Sequence, residues 1–245
     1  MTVHVRTFED AAQVASTAAA AAIDVLAAAI GARGEAHIML TGGTVGIATI
    51  AAIGKDPKVG SIDWQKVHFW WGDERFVAPD SPDRNALQAK QALLNSISTD
   101  PFKVHEFPST AEFGGDLDEA AAGFAAELAA VAPGAERQPR FDVVFMGMGP
   151  DGHVASLFPG KDAPAAGLTV IAEHDSPKPP PQRLSFTYEV LNAVESIWFL
   201  VAGADKADAA AAALGDSGST LPAARVKGTR ETVWFIDQAA ASKLG

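Results

Sequence analysis

The chain has 245 residues, 48% hydrophobic and 20% charged, with a formal net charge of −11 and no cysteine. That length supports a sizeable core in one domain over residues 1–245. The acidic balance argues against nucleic acid and anionic membrane as partners, and disulfide and thiolate chemistry are excluded outright. No uncharged apolar run of about 20 residues occurs, so no membrane span is expected. Met1-Thr2-Val3-His4-Val5-Arg6 lacks the basic-then-apolar order of a signal peptide, which fits a cytoplasmic location.

From the N-terminus onward, strand-like and helix-like periodicities alternate. Val3–Thr7 predicts a strand; Asp10–Ile30, alanine-rich and carrying Asp24, predicts a buried or half-buried helix. A strand over His37–Leu40 runs through Thr41-Gly42-Gly43-Thr44 into a helix over Val45–Ile53. Paired glycines permit a tight turn with converging N–H groups, and the helix N-terminus behind them adds about half a positive charge. Thr41 and Thr44 supply hydroxyls. The loop suits a phosphate, although an ordinary glycine turn reads the same; neither a GxGxxG nor a Gly-Lys-Ser/Thr motif is present, so nucleotide binding is unsupported.

A strand over Val67–Trp70 ends in Gly72-Asp73-Glu74-Arg75. Three successive charges at a sheet rim form either an ion-pair cluster or, through Arg75, a guanidinium fork for a carboxylate or phosphate. After an exposed loop, Asp80-Ser81-Pro82-Asp83, a helix over Asn85–Leu94 takes Asn85 as its cap, with a second role facing the pocket. Val104–Phe107 predicts a strand and Leu117–Val131 a helix.

The strand over Asp142–Met146 is apolar at consecutive positions, as strands covered on both faces are. It ends in Gly147-Met148-Gly149-Pro150-Asp151-Gly152-His153. An imidazole titrates near neutrality and serves as a general base, and the carboxylate two residues away can orient it. His4, His37, His68 and His105 read instead as strand or surface histidines.

Further along come a strand over Thr169–Ala172, an exposed loop Ser176-Pro177-Lys178-Pro179-Pro180-Pro181, and a strand over Arg183–Phe186 that opens on Arg183. A helix over Tyr188–Ala193, a strand over Trp198–Val201 and a helix over Lys206–Leu214 follow. Lys206 in a first helical turn opposes the macrodipole, a conflict that an anionic ligand removes. A strand over Thr232–Ile236 and a short helix over Gln238–Leu244 complete the pattern, a three-layer α/β sandwich, Rossmann-like, with a mainly parallel central sheet. Ligands in such folds collect at the carboxyl ends of the strands. Ser156 lies in no Gly-x-Ser-x-Gly pattern, and His153 has no His or Cys at ligand spacing, so neither a serine nucleophile nor a metal is expected there.

These segments together resemble the 6-phosphogluconolactonase family and, more distantly, the glucosamine-6-phosphate deaminases. Gly147 to His153 with Ala155-Ser156-Leu157-Phe158-Pro159-Gly160, and Gly72-Asp73-Glu74-Arg75 with Asn85, carry the resemblance most specifically. It implies a deaminase/ribose-phosphate-isomerase-like fold and hydrolysis of 6-phospho-D-glucono-1,5-lactone in the oxidative pentose phosphate pathway, without cofactor or metal. His153 and Asp151 are then the catalytic pair, and Gly42, Gly43, Thr44, Asp73, Arg75, Asn85, Gly149, Arg183 and Lys206 hold the phosphorylated sugar lactone. One departure stands out: Val45 stands where the family loop has proline. Phe158 and Arg75 stand where the deaminases have a catalytic Glu and a Tyr, which favours the lactonases over the deaminases. A non-catalytic sugar-phosphate binder and an isomerase or deaminase of the same fold are the alternatives.

Overall fold

In the computed structural model, which describes residues 2–132, 134, 136–215 and 218–245, the most apolar strands sit side by side. They are β2 (Ala36–Leu40), β3 (Val67–Trp71), β5 (Val143–Gly147) and β8 (Ser196–Val201), with all but Gly147 fully buried. Parallel pairing joins them in the order β8-β5-β2-β3. Adding β9 (Glu231–Asp237) and β1 (Thr2–Phe8), also parallel, completes a six-stranded sheet ordered β1-β9-β8-β5-β2-β3. This is the expected mainly parallel sheet flanked by helices.

Helix α1 (Ala11–Arg33) starts on Asp10, whose side chain accepts from Gln13 N, and ends at Gly34 with φ of 86°. Its length and apolarity would allow it to cross a membrane. Instead it buries Val14, Ala18, Ala22, Ile23 and Leu26, and packs on β2, β8, β9 and α2 (Gly43–Lys55). Alanine at the contact positions lets helix and sheet approach closely. Helix α4 (Leu117–Val131) begins on Asp116, which accepts from the amides of Asp118 and Glu119.

A second, antiparallel sheet orders β4 (Asp73–Arg75), β7 (Arg183–Phe186) and β6 (Val170–Glu173). Helix α4 packs on β6 and β7. Phe124 of α4 meets Phe107, Phe186 and Trp70, and Phe141 bridges Trp70 and Phe186. This aromatic cluster fastens the small sheet to the large one.

The structure corrects several expected elements. Asp73–Arg75 is a strand rather than a rim loop. Val104–Phe107 makes only one bridge, to Phe69, because Pro108 follows directly and offers no N–H to a ladder. Gln238–Leu244 forms turns, in which the Asp237 carboxylate accepts from Ala240 N and the Ser242 hydroxyl bonds Ala239 O; so short a segment does not sustain a helix. A short helix, α7 (Pro222–Arg225), is present without having been anticipated.

Phe199 in β8 is fully buried and stacks on Trp234 with ring centroids 4.2 Å apart. Phe199→Ala is expected to cost about 3–5 kcal/mol in urea denaturation; a loss below ~1 kcal/mol would show that the centre of the sheet repacks.

Candidate active site

At the carboxyl ends of β2, β3, β5 and β8 the loops enclose a cavity of about 310 Å³. Nine residues singled out from the sequence line it together: Gly42, Gly43, Asp73, Arg75, Asn85, Gly149, His153, Arg183 and Lys206. Thr44 faces an adjoining cavity of about 520 Å³ that shares Gly42, Gly43 and Lys206 with the first. The glycine loop is tighter than expected, since α2 already starts at Gly43 and Thr44 belongs to its first turn.

The His153 ring lies against Asp151, with Nδ1 2.5 Å from Oδ1. An ionised carboxylate can only accept, so Nδ1 carries the proton and Nε2 keeps a lone pair. Burial lowers the His153 pKa; the Asp151 hydrogen bond and charge work to raise it and the Lys178 charge to lower it further, and the balance is a depression. Partial burial works to raise the Asp151 pKa, but His153 and Lys178 overcome it and bring the value down to about 2. The pair is therefore a neutral imidazole on an ionised carboxylate, poised to accept a proton at Nε2. Gly149 makes this possible, because a Cβ there would collide with the His153 ring and the Asp151 carboxylate. On its other side the imidazole meets Phe158, ring centroids 4.8 Å apart.

Lys178, which sequence reasoning placed only in an exposed proline loop, reaches this pair. Its Nζ is 3.2 Å from Asp151 Oδ1 and 3.1 Å from His153 Nδ1. Arg183 holds the loop in place: Nε donates to Pro180 O, and Nη2 to the carbonyls of Lys178 and Pro179, at 3.0–3.1 Å. Ser176 N closes the loop onto Pro181 O. Most of the guanidinium of Arg183 is thus committed to backbone, with Nη1 3.9 Å from Asp73 and the Phe158 ring 5.9 Å away. A lone lysine inside a stiff proline run just before an arginine was the available signal.

The opposite wall depends on Glu74. Its buried carboxylate accepts from the amides of Arg75, Asn85 and Ala86 at 2.7–2.8 Å. Glu74, from a neighbouring strand, thereby satisfies the first amides of α3 (Asn85–Ala92) in place of a local cap. Asn85 is not the cap: Arg84 holds that position, and the Asn85 amide donates to Asp73 O at 2.9 Å. Gly42 is obligatory opposite it, since a Cβ would overlap the Asn85 side chain. The Asp73 carboxylate accepts from Ser156 Oγ at 2.7 Å, which commits that hydroxyl away from His153. Arg75 donates to Asp83 O at 2.6 Å. Lys206 closes a 3-10 turn, Ala204–Lys206, ahead of α6 (Ala207–Gly215), with Nζ 3.0 Å from Asp205. Four cations, Arg75, Lys178, Arg183 and Lys206, thus converge on one cavity of an acidic chain. Such an arrangement can select an anionic ligand, hold it in several directions and offer it a base.

The model of the glucosamine-6-phosphate isomerase/6-phosphogluconolactonase family matches residues 9–234. A 6-phosphogluconolactonase of Streptomyces coelicolor is 45% identical over 235 residues, 94% of this chain and 90% of its own. Among solved structures, devB protein superposes with a TM-score of 0.86 at 32% identity, each chain covered completely. A monomeric glucosamine-6-phosphate deaminase reaches a TM-score of 0.77 at 18% identity, with 99% of this chain and 100% of its own covered, a likeness of fold.

Removing the Lys178 charge takes away one of the influences that disfavour the imidazolium. Lys178→Met is therefore expected to raise the His153 pKa, followed through the imidazole ring protons by NMR; an unchanged or lowered value would show that the ammonium is not felt there.

Proposed function

Since the chain belongs to the glucosamine-6-phosphate isomerase/6-phosphogluconolactonase family, we propose that it hydrolyses 6-phospho-D-glucono-1,5-lactone to 6-phospho-D-gluconate, the lactone-opening step of the oxidative pentose phosphate pathway, in the cytoplasm. The observation that carries this reading is the His153–Asp151 pair, 2.5 Å apart, with His153 lining a cavity that four cations also line.

A lactone is an activated ester, so opening it requires a positioned water, a base and stabilisation of the developing oxyanion. Water held at His153 Nε2 gives up a proton as its oxygen bonds to C1 of the lactone. The imidazolium, stabilised by Asp151, returns that proton to the ring oxygen as the C1–O5 bond breaks, which regenerates the neutral base and yields the free acid. The substrate phosphate docks between Lys206 and the Gly42-Gly43-Thr44 turn, where the first amides of α2 and the positive end of its dipole add to the ammonium. Arg75 and Asp73 face the sugar. Arg183 acts chiefly through the loop that it holds.

The oxyanion is stabilised by a cation of the cavity rather than by a row of amides from the Gly147–Gly152 loop. Three of those amides already have partners: Gly147 N donates to Thr41 Oγ1, Gly149 N to His153 O, and Gly152 N to Gly149 O. The deaminase alternative lacks its acidic partner for the histidine, because Phe158 packs on the ring at that position. A purely binding role leaves the tautomer-setting Asp151 contact without a purpose.

His153→Ala is expected to lower kcat by about 10²–10⁴-fold with little change in KM, read as proton release above the spontaneous opening of the lactone; full retained turnover would remove His153 from the base role, and a parent chain no faster than spontaneous opening would favour a binding protein. Lys206→Ala is expected to raise KM for the phosphorylated lactone by roughly 10–100-fold, the loss of a charge-assisted hydrogen bond. The unphosphorylated lactone serves as the control, and an unaltered preference between the two would move the phosphate elsewhere.

A further inference from the structure

At the other end of the parallel strands, about four residues and roughly 13 Å along β2 and β3 from the cavity, lies a cluster with no part in the reaction above. His37 and His68 occupy paired positions in β2 and β3 and stack with ring centroids 4.2 Å apart. Glu35, exposed just before β2, reaches both: its carboxylate oxygens lie 3.8 Å from His37 Nε2 and 3.5 Å from His68 Nε2. One donor atom from each of the three residues falls within 4.8 Å of the others.

The protons can be placed by following the hydrogen bonds inward from the surface. The Glu127 carboxylate accepts from His105 Nδ1 at 2.8 Å, so His105 Nε2 keeps its lone pair. That nitrogen lies 3.0 Å from His68 Nδ1, which must then be the donor. His68 Nε2 is left unprotonated, buried in a residue only 8% exposed, and without a hydrogen-bond partner among the described residues. What it faces is the Glu35 carboxylate, a second acceptor. Two acceptors turned toward each other repel unless a cation lies between them.

We propose that this cluster is a binding site for a zinc-class divalent transition ion, with His68 Nε2 and the Glu35 carboxylate as its first two ligands and His37 Nε2 as the third. The donor types suit such an ion, which prefers imidazole and accepts carboxylate. The chain Glu127–His105–His68 is the support that metal-bound imidazoles use, a hydrogen-bonded carboxylate fixing the tautomer and raising the basicity of the ligating nitrogen. Ligand atoms around a tetrahedral zinc sit about 3.3 Å apart, so the 3.5 and 3.8 Å separations close with a small movement of the exposed Glu35 side chain. His37 costs more: Trp70 Nε1 donates to its Nδ1 at 3.2 Å, so coordination moves a proton from Nε2 to Nδ1, gives up that bond and turns the ring out of its near-parallel stack on His68 (11°), since both lone pairs lie in their ring planes. Burial first, then the charges of His68 and His105, hold the His37 pKa at about 3; burial, His105 and Lys103 outweigh the upward pull of Glu35 and hold that of His68 at about 4, so both rings are neutral at pH 7, the form that binds metal. The ion would pin β2 to β3 at the floor of the sheet.

The test is titration of the chelator-treated full-length chain with Zn²⁺ by calorimetry and with Co²⁺ by visible absorption. One equivalent is expected, with visible bands of nitrogen-ligated Co²⁺ and a rise in Tm of roughly 3–6 °C at about ten times Kd. Glu35→Gln at the surface and His68→Gln in the interior should each weaken binding at least tenfold while leaving lactone turnover unchanged. His153→Ala should bind as tightly as the parent. Absence of stoichiometric binding, undiminished binding by both Glu35→Gln and His68→Gln, or loss of binding in His153→Ala would each overturn the proposal, the last by sending the ion to the active site.

Discussion

The guanidinium of Arg183 ties two distant parts of the chain into one site. It is buried at the start of β7, and its donors are spent on the carbonyls of three consecutive residues, 178–180. Those bonds fix a proline-rich loop that has no regular structure of its own, and with it the position of Lys178 over the Asp151–His153 pair. A guanidinium suits this task better than an ammonium, since its planar fork presents several donors in a fixed geometry. Glu74 plays the matching role across the cavity, one buried carboxylate holding the amides of Arg75, Asn85 and Ala86 and so setting β4 against α3. Burial raises the Glu74 pKa, while the charge of Arg84 and the three amides favour the ionised form.

How much of this could be read from the sequence follows from where the forces come from. The central strands of the large sheet were legible because burial on both faces leaves a nearly continuous apolar run, and the glycines after β5 marked where backbone had to pass close to side chains. β4 was not, because Asp73-Glu74-Arg75 shows no apolar alternation; its strand geometry is imposed by pairing with β7, far along the chain. Asn85 carried the right chemistry for a cap, but the carboxylate that arrives from β4 displaced it. Lys178 escaped notice because only its place in a proline run just before Arg183 sets it apart from a solvated lysine. The histidines of β2 and β3 looked like isolated strand residues, since register, which stacks them, is a property of two segments and not of one.

Catalytic and structural polarity are divided between the two ends of the same strands. At the carboxyl ends, cations gather around an imidazole whose pKa burial lowers. At the amino ends, imidazoles stack beneath the aromatic cluster, with carboxylates at the edge. The two share β2 and β3 as a common spine, yet no polar contact connects them among the described residues.

β4 follows β3 after a single intervening residue, Gly72, whose amide bonds Leu40 O and whose carbonyl accepts from Phe186 N. The wall bearing Asp73 and Arg75 is therefore cantilevered from the central sheet and has no length of chain about which to swing. On this side the entrance has a set frame, which sorts guests by size and charge as they arrive. For a compound that decays unaided in water, a frame set in advance costs no time at the threshold.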